Sequence, residues 1–161
     1  MSIDQLYSEI IKEHYRDPRN KRALDSADII ERGFNESCGD DLQLFIKVED
    51  GIIKDISFEG KGCAISQASA SMMTEHLHGR SIKDVLDHVD EFKKMVSGEK
   101  AFPETDDYFE LSSLKGVMKF PIRIKCATIA WNTLRKGIID YLEKHDGITQ
   151  KLNDTQSTSN V

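Results

Sequence analysis

The sequence predicts an α+β fold, a small three-stranded antiparallel sheet packed by helices, formed by a single domain over residues 1–145. Three observations carry that expectation. Apolar and polar residues alternate on either side of an Asp50-Gly51 pair, apolar residues recur at helical spacing before and after that stretch, and from Asp146 onward the chain has little to bury. At 161 residues the chain is long enough for one respectable core.

The elements follow in order. Ile3, Leu6, Tyr7, Ile10 and Ile11 sit at helical spacing, and Asp17-Pro18-Arg19-Asn20 breaks the pattern, giving an amphipathic helix over 3–14. Ile29 to Phe34 supplies a third strand, weakened by Gly33. Leu42, Leu44, Ile46 and Val48 alternate with polar residues, Asp50-Gly51 is a two-residue hairpin turn, and Ile52, Ile56 and Phe58 resume the alternation. After Cys63 the period becomes helical through Ala64, Ala68, Met72 and Leu77, with Gly79 as C-cap. Ser81 with Asp84 three residues later opens a helix that buries Ile82, Val85, Leu86, Val89, Phe92 and Val96. The last helix starts near Pro121 and runs through Trp131, Leu134, Ile138 and Leu142. Residues 146–161, rich in Thr, Ser, Asn, Gln and Asp, are expected to be a disordered polar tail.

Composition narrows the function. A formal charge of −6 with no run of Lys or Arg argues against nonspecific nucleic-acid binding. Residues 81–114 hold nine acidic and four basic side chains, read as a solvated face. No apolar run approaches the roughly 18 to 20 residues of a membrane span, so no membrane association is expected. Three thiols cannot all pair within one chain and no charged-then-apolar leader precedes them, so reduced cysteines in the cytoplasm are expected. A metal or a protein partner fits this profile better.

Cys38 and Asp40 flank Gly39 on a turn at the entry to the hairpin, where glycine lets both side chains face one point. Cys63 leaves the second hairpin strand at the same end, because 39 and 62 lie nearly equally far from the Asp50-Gly51 turn. Cys126, near the start of the last helix, is within plausible reach. Three thiolates and one carboxylate suit four-coordinate Zn²⁺, so Cys38, Asp40, Cys63 and Cys126 form the candidate metal set, and Lys61, Arg123 and Lys125 are placed to offset its charge. Without a Cys-x-x-Cys pair, spacing alone leaves incidental thiols equally open. The histidines His14, His76, His78, His88 and His145 stand among polar neighbours and are expected at the surface.

Asn35-Glu36-Ser37-Cys38-Gly39-Asp40, Gly60-Lys61-Gly62-Cys63-Ala64-Ile65-Ser66 and Arg123-Ile124-Lys125-Cys126-Ala127 together resemble the iron–sulfur cluster assembly scaffolds of the IscU and NifU N-terminal family. The resemblance covers residues 1 to about 145. Lys125 stands where IscU-type scaffolds carry a histidine, and the segment between Cys63 and Cys126 is longer than theirs; both features resemble the SufU type of Gram-positive bacteria.

For that type the resemblance implies zinc on Cys38, Asp40, Cys63 and Cys126, and sulfur acceptance from a pyridoxal-phosphate cysteine desulfurase of the SufS type. Cys38 is then the expected acceptor, Arg123 the group that steadies the freed thiolate, and downstream cluster assembly proteins the recipients. The alternative is a scaffold that builds a [2Fe–2S] cluster on the same thiolates. A purely structural zinc module fits less well, since such sites more often use four Cys or His ligands.

Overall fold

The computed structural model describes residues 1–145; the polar tail from Asp146 lies outside them. Helix α1, Ile3–Arg16, opens with a reciprocal cap: Ser2 Oγ accepts the Gln5 N–H at 3.2 Å and Gln5 Oε1 accepts the Ser2 N–H at 2.8 Å. Strands β1 (Ile29–Asn35), β2 (Asp40–Glu49) and β3 (Ile52–Lys61) form an antiparallel meander in the order β1-β2-β3. Asp50 and Gly51 both adopt positive φ, 53° and 74°, the backbone a type I′ turn needs between twisted strands. Asn35 pairs with Asp40 and Asp41 with Lys61, so the β1–β2 turn and the exit of β3 share one end of the sheet.

Gly33 does not weaken β1; it is required there. A Cβ at Gly33 would collide with Thr133 Oγ1 on the last helix, and one at Gly137 would crowd Ile29. The absent side chains allow that helix to lie close against β1.

Helix α2, Ala64–Leu77, is the central element, with every residue from Ser66 to Thr74 buried. Its small side chains, Ala68, Ser69, Ala70 and Ser71, let neighbours approach, and its hydroxyls find partners: Ser69 Oγ donates to Ala127 O at 2.6 Å and accepts from Trp131 Nε1 at 3.0 Å. Gly79 follows its C-cap at φ 82°. Helix α3, Ile82–Val96, is capped by Ser81, whose Oγ accepts the Asp84 N–H at 3.1 Å. Phe92 of α3 stacks on Trp131 of α4, Pro121–His145, with ring centroids 3.9 Å apart and planes 9° from parallel.

The acidic stretch is more than a solvated face. After α3 it passes through two 3₁₀ segments, Asp106–Tyr108 and Leu111–Lys119, and Phe102, Leu111, Leu114 and Val117 all enter the core. Its carboxylates stay outside while one apolar residue every few positions pins it down.

The surface expectation fails at three of the five histidines, for a related reason. His78 and His145 are exposed, but His14 is wholly buried between α1, α2 and the acidic segment, and His76 and His88 are half-buried. His76 Nε2 and Tyr108 OH both meet His88 Nδ1, at 3.2 and 3.0 Å. Burial, reinforced by the charges of Arg80 and His88, lowers the His76 pKa to about 4. Polar neighbours in sequence do not reveal that another element covers the ring. Among the described residues, no helix is long and apolar enough to cross a membrane.

Candidate metal centre

Each cysteine is delivered by a different local device. Cys38 sits in the β1–β2 turn, where Gly39 at φ 67° reverses the chain. Cys63 is the N-cap of α2 and its sulfur accepts the Ser66 N–H at 3.4 Å, which sets it at the positive end of the helix dipole. Cys126, in the second turn of α4, has no exposure, whereas Cys38 and Cys63 are partly exposed. Asp40 begins β2 and is also wholly buried.

These four side chains converge: the three sulfurs and a carboxylate oxygen of Asp40 all lie within 4.8 Å of one another. The Cys38 and Cys126 sulfurs touch, and their Cα atoms are 6.9 Å apart. That places the pair within reach of a cross-link, at the outer edge of the about 4.4–6.8 Å usual for disulfides; Cys63 is free. Cys63 stands as a free thiol, while Cys38 and Cys126, expected to be reduced, are close enough to be joined by oxidation or held apart by a shared ion.

The donor set fits a metal ion. Three sulfurs are soft ligands suited to zinc, and a buried carboxylate supplies a fourth, harder one. The Asp40 carboxylate is held by three donors: Ser66 Oγ at 2.8 Å and the Cys63 N–H at 3.0 Å on Oδ1, and Asn35 Nδ2 at 3.2 Å on Oδ2. An ionised carboxylate without exposure needs such a shell. Gly62 belongs to it by subtraction, because a Cβ there would collide with both Asp40 Oδ1 and Ser66 Oγ.

Asn35, Ser66 and Gly62 carry no assignment from sequence. A signal was present: Asn35 pairs with Asp40 across the turn, and Ser66 stands three residues after an N-cap, where a side chain turns back toward the loop.

The expected cations separate. Arg123 is exposed one turn before Cys126 and lines a cleft with Ile11, Ile65, Val117 and Phe120. Lys125 instead lines a groove beside Arg32, Phe34 and Asn35. Lys61 faces Asp41, whose carboxyl is held below its usual range chiefly by the hydrogen-bonded Arg32 guanidinium. Arg123 and Lys125, two residues apart in the chain just before Cys126, thus open onto different surfaces.

Comparison with known proteins shows the family of the chain. Residues 6–147 match the family model described as NifU-like N terminal domain. The zinc-dependent sulfurtransferase SufU of Bacillus subtilis (strain 168) is 42% identical over 137 residues, covering 85% of this chain and 92% of that one. The iron-sulfur cluster assembly scaffold protein IscU of Thermotoga maritima is 39% identical over 138 residues, covering 86% and 96%. Among solved structures, a candidate scaffold protein for the SUF system from Fervidobacterium islandicum AW-1 superposes with a TM-score of 0.73 at 29% identity, covering 85% of this chain and 99% of that one. The N-terminal part of a NifU-like protein from Brucella abortus gives 0.78 at 22% identity over 89% and 99%, which bears on the fold alone.

Proposed function

The chain belongs to the NifU-like N-terminal domain family of iron–sulfur cluster assembly proteins, and from that premise we propose that it is a zinc-dependent acceptor of persulfide sulfur from a pyridoxal-phosphate cysteine desulfurase. Zinc, when bound, would keep its sulfur ligands ionised at neutral pH and so supply a ready nucleophile.

Cys38, Cys63, Cys126 and Asp40 are the ligands in this reading, and Cys38 is the acceptor. The observation that carries the choice is the contrast in anchorage. Cys126 is sealed in α4 and Cys63 is tied to the α2 N-terminus through Ser66, whereas Cys38 rides a glycine turn open to solvent. A thiolate at Cys38 attacks the outer sulfur of the desulfurase persulfide. The donor's S–S bond breaks, a new S–S bond forms on Cys38, and the donor cysteine leaves as a thiolate, with no net oxidation. Arg123, exposed and one turn from Cys126, is the group assigned in this reading to favour the incoming negative charge. The sulfur then passes to downstream assembly proteins.

The test is anaerobic transfer from the cognate desulfurase and cysteine to the zinc-loaded protein, with iron excluded, read by mass spectrometry of the cysteine peptides. One added sulfur on the Cys38 peptide, lost in Cys38→Ser, is the expected result. Transfer at the wild-type rate in Cys38→Ser overturns the assignment. No transfer at all, with cluster formation once iron is supplied as substrate, favours the scaffold reading that the IscU relatives support.

A further inference from the structure

Near the C-terminal end of α2, twelve residues beyond Cys63 and so about 18 Å along the helix, three side chains from three segments converge. His14 of α1, Glu75 of α2 and Glu110, between the two 3₁₀ segments, bring a ring nitrogen and one oxygen from each carboxylate within 4.8 Å of one another. His14 has no solvent exposure; its Nδ1 lies 2.8 Å from Ser71 Oγ and its Nε2 3.0 Å from Glu110 Oε1. The carboxylates are 44% and 47% exposed and stand on the wall of a cavity of about 320 Å³, which Asp106, Asp107 and Arg80 also line. Arg19 pairs with Glu13 at 2.7 Å and reaches Glu75 only at 3.9 Å.

We propose that His14, Glu75 and Glu110 form a second cation site, which takes a divalent transition metal through one imidazole nitrogen and two carboxylates, with water completing the shell. Mixed nitrogen and oxygen donors suit borderline ions such as Fe²⁺, Co²⁺ and Zn²⁺, whereas Mg²⁺ and Ca²⁺ take oxygen shells. The imidazole is oriented as a ligand requires, with its second nitrogen fixed by a hydrogen-bond partner.

Ser71 keeps Nδ1 partnered across the change of state. Its Oγ already accepts the Arg19 N–H at 2.8 Å and has a second lone pair. Without a cation, Ser71 donates to Nδ1 and Nε2–H donates to Glu110; with one, Nδ1–H donates to Ser71 and the Nε2 lone pair is released to the ion. Nδ1 and Ser71 Oγ stay hydrogen-bonded in both tautomers, and the Ser71 hydroxyl proton must turn to another acceptor in the second. Ligand atoms about 2.1 Å from one ion lie about 3 Å apart, so the exposed carboxylates need to close by less than 2 Å, within the reach of rotamer changes. A cation here ties α1 to α2 and to the acidic segment, independently of the sulfur chemistry at the cysteines.

The experiment is anaerobic Co²⁺ titration of full-length protein, by calorimetry and absorption, in two backgrounds: wild-type protein preloaded with one equivalent of zinc, and a Cys38→Ser/Cys63→Ser/Cys126→Ser variant. Each is compared with its E75Q/E110Q derivative. Expected is one saturable equivalent with weak d–d bands and no thiolate charge-transfer band, weakened at least 10-fold by E75Q/E110Q. If the triple variant does not fold, the zinc-loaded background carries the test alone. No saturable equivalent beyond the cysteines, or one whose affinity E75Q/E110Q leaves unchanged, overturns the site. The thiolate band keeps this outcome separable from any failure at the cysteines.

Discussion

Ser66→Ala isolates the shell around Asp40 from the ligands themselves. The hydroxyl donates its single proton toward Asp40 Oδ1 at 2.8 Å while also lying 3.0 Å from Cys63 O. A hydrogen bond to a charged group contributes about 1.5–3 kcal/mol, and a shared proton argues for the lower half of that range. Asp40 keeps the Cys63 N–H and Asn35, so its carboxylate is loosened rather than abandoned. Part of the loss also falls on the metal-free protein, where the same buried carboxylate needs the same donor.

The expected outcome is therefore zinc affinity weakened about 10-fold, at the low end of the about 10–100-fold typical for partners of metal ligands. The stripped protein should lose about 1–2 kcal/mol. Chelator competition measures the first and urea unfolding of stripped protein the second. Affinity within twofold of wild type, together with unchanged stability, would refute the placement of Asp40 as a ligand held by Ser66.

Gly33→Ala should destabilise by about 1–3 kcal/mol through overpacking against Thr133, and Thr133→Ala in the same chain should recover part of it, a coupling measured by a double-mutant unfolding cycle. His76, neutral in the fold with its pKa near 4, takes up its proton more readily when unfolded, near 6.5. The unfolded state then binds more protons between about pH 4 and 6.5, so stability falls on acidification through that window; urea midpoints against pH should show the slope, and His76→Gln should flatten it. Arg123→Ala should slow sulfur transfer severalfold, on the order of 1 kcal/mol for one exposed charge near a thiolate, while zinc content per chain stays unchanged.

Much of this was legible because it is local. The Asp50-Gly51 turn, the Ser81 cap and the alternation of Leu42, Leu44 and Ile46 are written in consecutive residues, and the hairpin's symmetry about its turn brings Cys38 and Cys63 to one end. The arrival of Cys126 was not local: it depends on α4 lying on β1, which rests on Gly33 and Gly137, residues that contribute by lacking a side chain. Likewise nothing near His14 in sequence announces Ser71 and Glu110, 57 and 96 residues away. Pairings of that range are set by packing, and the acidic segment hid its anchors Leu111 and Leu114 among charges.

The unequal seating of the three cysteines also divides the molecule in time. Cys126 is buried in α4, and core helices open as rarely as whole domains unfold. A glycine turn such as that of Cys38 rearranges in nanoseconds to microseconds. Amide exchange should therefore be slow along α4 around Cys126 and fast at residues 37–39, so that the proposed acceptor thiol could meet a partner many times before its neighbours stir.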